Sequence, residues 1–274
     1  MKVLVCVTTT KARLDVFFYA LQSLKRQTYE DYYISVYLSQ EPFLLDEGIR
    51  VVPDWMRGER LQVGFVSNSG SYRKLLPAIV DAADEDLIVT ADDDVLYARN
   101  WLERIVKAAE LHPTHIVCGR ARSIQKNILG RFQNYSNWPI VSKSMTGRAL
   151  LPIGCSGIAY RRNLLDLDFM LDQAFRDCAP TSDDIWFRLA SLRKHVEVYV
   201  DPEIESENAY TEPFVCLSKL NQHVPDLEPS LLRRLIVRAI RRTRDYLGIP
   251  VSRNDLAWTK SLQLLESRGQ PINL

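Results

Sequence analysis

An α/β fold, a mostly parallel sheet with helices over its faces, is what this sequence predicts, and two observations carry the prediction. Short apolar runs alternate along the chain with amphipathic stretches at helical spacing, the pattern of successive strand and helix units. Two of those runs, 2–8 and 87–89, are apolar on both faces, as strands inside a parallel sheet must be.

In order, the chain opens with a strand over 2–8, where Val3, Val5 and Val7 alternate with Leu4 and Cys6. Leu14, Phe17, Phe18, Leu21 and Leu24 recur at helical spacing and predict a helix over 13–27. Residues 32–38 and 61–66, rich in Tyr, Ile and Val or in Leu and Val, predict the second and third strands. Between them Pro42, Gly48, Pro53 and Gly58 mark 41–60 as an irregular connection. A helix over 71–83, with Leu75, Leu76, Ile79, Val80 and Ala83 as its stripe, leads into the fourth strand. Beyond it the pattern predicts a helix over 98–111, a strand over 115–119, and a strand-like run over 150–160 that contains Gly154 and Gly157. A helix starting at Thr181 or Ser182 and running to 194, then a strand over 196–200, complete the alternation.

The chain of 274 residues is long enough for one large domain or two smaller ones sharing a cleft, and 46% hydrophobic with 25% charged residues is ordinary globular composition. Lys and Arg number 35 against 34 Asp and Glu, which argues against a general nucleic-acid binder. Cys6, Cys118, Cys155, Cys178 and Cys216 are scattered, odd in number and without Cys-x-x-Cys spacing, so neither a zinc site nor a disulfide framework is expected. A reducing, cytoplasmic setting fits that usage. The apolar run 3–7 is too short for a signal peptide, and no run reaches bilayer-spanning length.

The fourth strand ends in Asp92-Asp93-Asp94. Alternation along extended chain would bring Asp92 and Asp94 together and turn Asp93 away. Two carboxylates that close repel unless positive charge lies between them. A hard divalent cation, Mn²⁺ or Mg²⁺, suits the position, with water and a substrate phosphate completing its shell. The competing reading is a solvated acidic turn; the exit of a buried strand favours a ligand, because open α/β sheets bind at the carboxyl ends of their strands. Neither Gly-x-Gly-x-x-Gly after the first strand nor Gly-x-x-x-x-Gly-Lys-Ser/Thr is present, which disfavours dinucleotide dehydrogenases and P-loop enzymes.

Three further stretches carry two readings each. Residues 123–148 hold Tyr135 and Trp138 among Arg131, Lys143 and Arg148, which suits either stacking on a sugar or a Trp that pins a long loop. Asp183 and Asp184 open a helix, where carboxylates complement the macrodipole, but an adjacent pair also suits a general base of raised pKa. In 231–247, Leu232, Ile236, Ala239, Ile240 and Leu247 share a face opposite six arginines, as in a helix lying on an anionic membrane or an ordinary solvated helix.

The opening Val7-Thr8-Thr9, the run Leu21-Gln22-Ser23-Leu24-Lys25-Arg26-Gln27-Thr28, Lys74-Leu-Leu-Pro, Val89-Thr-Ala-Asp-Asp-Asp, Gly157-Ile-Ala-Tyr and Pro180-Thr-Ser-Asp-Asp-Ile-Trp occur in that order. Together they resemble a GT-A glycosyltransferase of the family 2 type over about residues 1–210. The resemblance implies a GT-A-like fold and metal-dependent transfer of a sugar from a nucleotide-sugar donor to a glycan or glycolipid acceptor, with inversion, in surface polysaccharide assembly. It puts Asp92 and Asp94 on the Mn²⁺ or Mg²⁺, with Asp92 or Asp93 near the ribose. Thr8 and Thr9 would lie by the nucleobase, and Asp184 or its neighbour Asp183 would be the general base; apart from the resemblance, Arg73, Lys74 and Gly157 are candidates to approach the donor. His223 is a late candidate metal ligand. By the same likeness 1–225 forms the catalytic domain, with 1–120 its nucleotide-binding half and 121–225 its acceptor half, and 226–274 a helical extension; peripheral membrane contact would run through 229–247. Where the family has an acid after the second strand, this chain has Ser39-Gln40, which leaves the nucleotide open. The rival readings are a metal-dependent nucleotidyltransferase, whose usual glycine-rich basic loop is missing from 8–13, and a non-catalytic carbohydrate-binding protein on the same fold.

Overall fold

The computed structural model describes residues 1–211 and 243–274, so His223, Cys216 and most of the basic stretch 229–247 lie outside the described residues. Along the described chain the elements are β1 (Val3–Thr8), α1 (Leu14–Leu24), β2 (Tyr32–Leu38), β3 (Leu61–Phe65), α2 (Leu76–Asp81), β4 (Leu87–Ala91), β5 (Val95–Leu96) and α3 (Trp101–Leu111). There follow β6 (Ile116–Cys118), β7 (Ala121–Ser123), β8 (Met145–Gly147), β9 (Leu150–Pro152), β10 (Ile158–Tyr160), α4 (Leu167–Met170) and α5 (Phe175–Cys178). Then come α6 (Asp183–Arg193), β11 (Val198–Val200), β12 (Ala209–Tyr210) and α7 (Arg253–Ser267).

The expected sheet is there. Eight strands run in the order β3-β2-β1-β4-β10-β6-β11-β8. The first four are mutually parallel, β10 runs against both its neighbours, and β6 and β11 are parallel again. Alternate residues feed two cores. Val3, Val5, Val7, Leu87 and Val89 pack with Phe17, Leu21, Trp101 and Ile105 on one face. Cys6, Ile88 and Ile158 pack with Ile79, Trp186, Leu189 and Trp258 on the other. Both faces are therefore apolar, which is why the strands read as unbroken apolar runs. Truncating the fully buried Ile88 to alanine is expected to cost about 2–5 kcal/mol.

Register sets where the loops meet. Val7 pairs with Ala91, so residues 8–10 leave β1 beside residues 92–94 leaving β4. Ile158 pairs with both Thr90 and Cys118, so the segment entering antiparallel β10 lies at this same edge, as does the chain leaving β6. Four loops thus converge at one end of the sheet.

Several expected elements differ in detail. The helix expected over 71–83 is a 3₁₀ turn (Gly70–Lys74) followed by α2, because Pro77 lacks an N–H and fits only a helix's first turn. The run 150–160 is two strands in separate sheets. β9 pairs with β7 in a small sheet, a 3₁₀ turn spans Gly154–Ser156, and Gly157 at φ 87° re-aims the chain into β10. Within 123–148 the chain is tied down: Trp138 is buried against Trp258, and Arg122 bridges Ile140. The pinning reading holds for Trp138.

Candidate active site

β4 ends at Ala91 and residues 93–94 turn, so alternation stops just before the acidic cluster. The expected pairing of Asp92 with Asp94 is replaced by a different one. Arg13, at the end of a 3₁₀ turn after β1, reaches both Asp93 and Asp94 at 2.6 Å. Thr9 Oγ1 donates to Asp93 at 2.6 Å. Lys74 Nζ lies 2.8 Å from Asp92 and 3.1 Å from Asp183. Burial, against the pull of Arg13, pushes the Asp93 carboxyl up to about 6, and burial with the neighbouring Asp92 raises Asp94.

The second acidic pair faces the first across Lys74. Ser71 Oγ donates to Asp183 Oδ1 at 2.7 Å, and the Gly154 amide donates to Asp184 Oδ2 at 2.9 Å. These bonds reach away from α6's own N–H groups, and the preceding Ser182 hydroxyl donates to Asn254 at 2.7 Å instead of capping the helix. The capping reading therefore does not account for where the two carboxylates point. Asp184 Oδ1 is shielded from solvent and has no hydrogen-bond partner among the described residues. Burial first, and Asp183 second, push the Asp184 carboxyl up to about 7. Burial alone would lower the Lys74 ammonium, but Asp183, Asp92 and Asp184 around it hold it well above its ordinary value.

All five carboxylates, Lys74 and Arg13 line one cavity of about 880 Å³. Asp46 lines it too, as do Arg73, Arg120 and Arg122, which brings the whole wall close to charge balance. What suits a divalent ion is therefore local: Asp92 and Asp94 present the hard oxygen donors it prefers. No three described His, Cys, Asp or Glu side chains are grouped closely enough to hold a metal by themselves. An ion here would need oxygens from a bound ligand and water to complete its shell.

Thr8 and Thr9 also line the cavity; Thr8 Oγ1 is engaged with the Tyr37 carbonyl at 2.7 Å. Arg73 reaches the cavity wall inside a buried ion pair with Asp46 at 2.8 Å and a bond to the Thr9 carbonyl at 3.3 Å. Gly157 does not line it: the space of its missing side chain is filled by Trp101, whose ring would stand 2.4 Å from a Cβ there. The residues that sequence reasoning missed are Arg13, Asp46 and Ser71, together with the contact of Gly154 to Asp184. Asp46 is the buried acid that follows β2, later in the chain than the Ser39-Gln40 position, held by Arg73, Asn68 and the Gly48 amide. Its companion Gly48, at φ 82°, was the available signal for a built turn.

The family model described as "Glycosyl transferase family 2" matches residues 68–167, the stretch that carries Lys74, the Asp92–Asp94 turn and Gly154. No curated protein matches the chain. Among solved structures, S. aureus TarS 1-349 is similar with 17% identity and a TM-score of 0.46 over 98% of this chain and 80% of that one. The crystal structure of the same TarS segment in complex with UDP is similar with 15% identity and a TM-score of 0.45, covering 73% of this chain and 57% of that one. This chain thus spans little more than half of the UDP complex. The sheet itself, a parallel β3-β2-β1-β4 half continued by antiparallel β10 with helices on both faces, is the mostly parallel α/β arrangement that the strand and helix alternation predicts.

Proposed function

We propose that this chain, a family 2 glycosyltransferase of GT-A fold in its 68–167 segment, moves a sugar from a nucleotide-diphosphate donor to an acceptor hydroxyl with inversion. The observation that carries this reading is Asp184 Oδ1, a shielded carboxylate oxygen without a hydrogen-bond partner among the described residues, set across Lys74 from the acidic turn in one cavity. In the reaction, the acceptor hydroxyl donates its proton to Asp184 as its oxygen attacks the sugar's anomeric carbon. The Gly154 amide fixes Oδ2, which leaves Oδ1 as the accepting atom. Direct attack opposite the departing diphosphate inverts the anomeric centre. Asp183, held by Ser71 and Lys74, is the weaker choice of base.

On the donor side, Thr8 and Thr9 lie near the base, and Arg73 braces their loop through the Thr9 carbonyl. Asp92 and Asp94 are the residues that would hold Mn²⁺ or Mg²⁺, an ion that stabilises the negative charge gathering on the leaving diphosphate. Arg13 and Lys74 hold those carboxylates in place before ligand arrives.

The same reading divides the chain into a nucleotide-binding half over 1–120, an acceptor half over 121–225 and an extension from 226. It places the enzyme in surface polysaccharide or glycolipid assembly, at the cytoplasmic face of a membrane. No described helix is long and apolar enough to cross a bilayer. Product analysis tests the reaction class. A glycosyltransferase releases nucleoside diphosphate and glycosylated acceptor; release of pyrophosphate would mean nucleotidyl transfer, and no turnover with any nucleotide sugar would leave a carbohydrate-binding protein.

A further inference from the structure

Two arginines, in and just before the strand that pairs beside the Gly154 turn, line the same cavity, and the proposed reaction does not use them. β7 carries Arg122, and Arg120 precedes it by two residues, so both emerge on one side of extended chain. β7 pairs with β9, where Arg122 lies opposite Leu151, and the ladder continues as the Ile153 amide donates to the Arg120 carbonyl at 2.9 Å. The next residue is Gly154, whose amide grips Asp184. The arginines are therefore built into the support of the proposed base.

Their charges are balanced differently. Arg120 is neutralised by Glu205 at 2.7 Å and covered by the Tyr210 ring at 4.9 Å. Arg122 has no carboxylate within ion-pair distance among the described residues. It lies over the Tyr135 ring at 4.6 Å, donates to the Trp138 carbonyl at 2.6 Å, and its buried Nε has no hydrogen-bond partner among the described residues. Stacking on an aromatic face and a carbonyl bond orient a guanidinium without neutralising it. Arg122, Tyr135 and Asp184 all line the one cavity, so this cation and the proposed base face the same space.

We propose that Arg122 binds an anionic group, a phosphate or a carboxylate, carried by the acceptor near the hydroxyl that attacks. The proposal rests on the glycosyltransferase reading for the word acceptor; the anion site itself does not. With Nε shielded and Nη1 bonded to the Trp138 carbonyl, the guanidinium keeps its positive charge and its Nη2 donors for an oxyanion of either kind. The acceptor class is then an acidic glycan or a polyol phosphate, in preference to a neutral sugar.

The test is binding to the full chain, read by calorimetry, with glycerol 3-phosphate and glucuronate as probes and glycerol and glucose as their neutral counterparts. The wild type and Asp184→Asn are expected to bind at least one anionic probe and neither neutral one, and the stronger of the two anions names the source. Arg122→Gln is expected to weaken that binding roughly ten- to a hundredfold, the loss of hydrogen bonds to a charged group. Arg122→Lys, which keeps the charge and the stem, is expected to fall between them and guards against misfolding of the first variant. UDP affinity, measured in parallel, is expected to be unchanged in both. Retained anion binding in Arg122→Gln, equal binding of the neutral probes, or a loss of UDP affinity with acceptor-type binding intact would each overturn the assignment. Failure of glycosyl transfer itself would show in product analysis and leave these affinities untouched.

Discussion

The Gly154 amide donates to Asp184 Oδ2 at 2.9 Å, and the other carboxylate oxygen is left without a partner among the described residues. Each of the two adjacent aspartates accepts one hydrogen bond, and what distinguishes them is the ion pair that the other Asp183 oxygen makes with Lys74 at 3.1 Å. Asp183 is committed to Ser71 and Lys74, and Asp184 keeps an acceptor in reserve. Asp184→Asn is expected to lower kcat by about 10²–10⁴-fold, the usual worth of a positioned base, with folding retained. Asp183→Asn is expected to cost less. Steady-state kinetics on the two variants checks the ranking, and an equal or larger loss for Asp183→Asn would exchange the roles.

The raised Asp184 carboxyl gives activity and stability opposite pH dependences. A base must be ionised, so kcat/KM is expected to rise through about pH 7 and to lose that limb in Asp184→Asn. The folded chain holds this proton more tightly than the unfolded chain does, so its stabilising contribution is fully present below about pH 4, the ordinary carboxylate value. It is lost as pH rises through about 7. Because Asp183 adds to the shift, the limb belongs to the pair. Urea unfolding of wild type and Asp184→Asn between pH 5 and pH 8 would show the difference; parallel curves would contradict it.

Gly154 and Gly157 make separate predictions although they stand three residues apart. A Cβ on Gly154 would lie 2.9 Å from Lys74 Nζ and 3.0 Å from Asp184 Oδ1, the mobile ends of two side chains. Gly154→Ala is expected to move both charges and reduce kcat with little loss of stability. A Cβ on Gly157 would meet the buried Trp101 ring at 2.4 Å, from a backbone at φ 87°. Gly157→Ala is expected to destabilise by roughly 2–5 kcal/mol, combining overpacking with left-handed strain. Thermal unfolding beside kcat measurements separates the two, and interchanged results would mean that the glycines have been misread.

Lys74 is buried among carboxylates, with 5% of its surface exposed. Lys74→Met removes the cation and leaves Asp92 and Asp183 facing each other, at a cost of roughly 3–5 kcal/mol. Added Mn²⁺ is expected to recover part of that loss in thermal unfolding. A variant as stable as wild type without metal would show that the acids are already neutral.

Much of this arrangement was legible from local pattern. Val3 to Val7 and Leu87 to Val89 announced central strands because nothing polar interrupts them, and the acids at the strand exit followed. What escaped were partners made by the fold. Arg13 meets Asp93 and Gly154 meets Asp184 only because register brings distant loops to one edge. Alternation misjudged Asp93 because the strand ends at Ala91, and Gly157 read as a ligand site because a sequence does not show Trp101 filling its side-chain space. Arg122 sits in a three-residue strand, too short to announce itself.

In the proposed reaction the acidic turn after β4 holds a sugar-bearing diphosphate through a divalent ion. A thermal-shift panel of nucleotide sugars on the full chain, with and without Mn²⁺, tests it most directly, because a ligand bound only by the folded state raises its melting temperature by mass action. At least one nucleotide sugar is expected to raise Tm in the presence of Mn²⁺, much less in its absence, and not at all in Asp94→Ala. No shift with any nucleotide sugar, or the same shift in Asp94→Ala, would rule out a metal-bridged diphosphate at this turn.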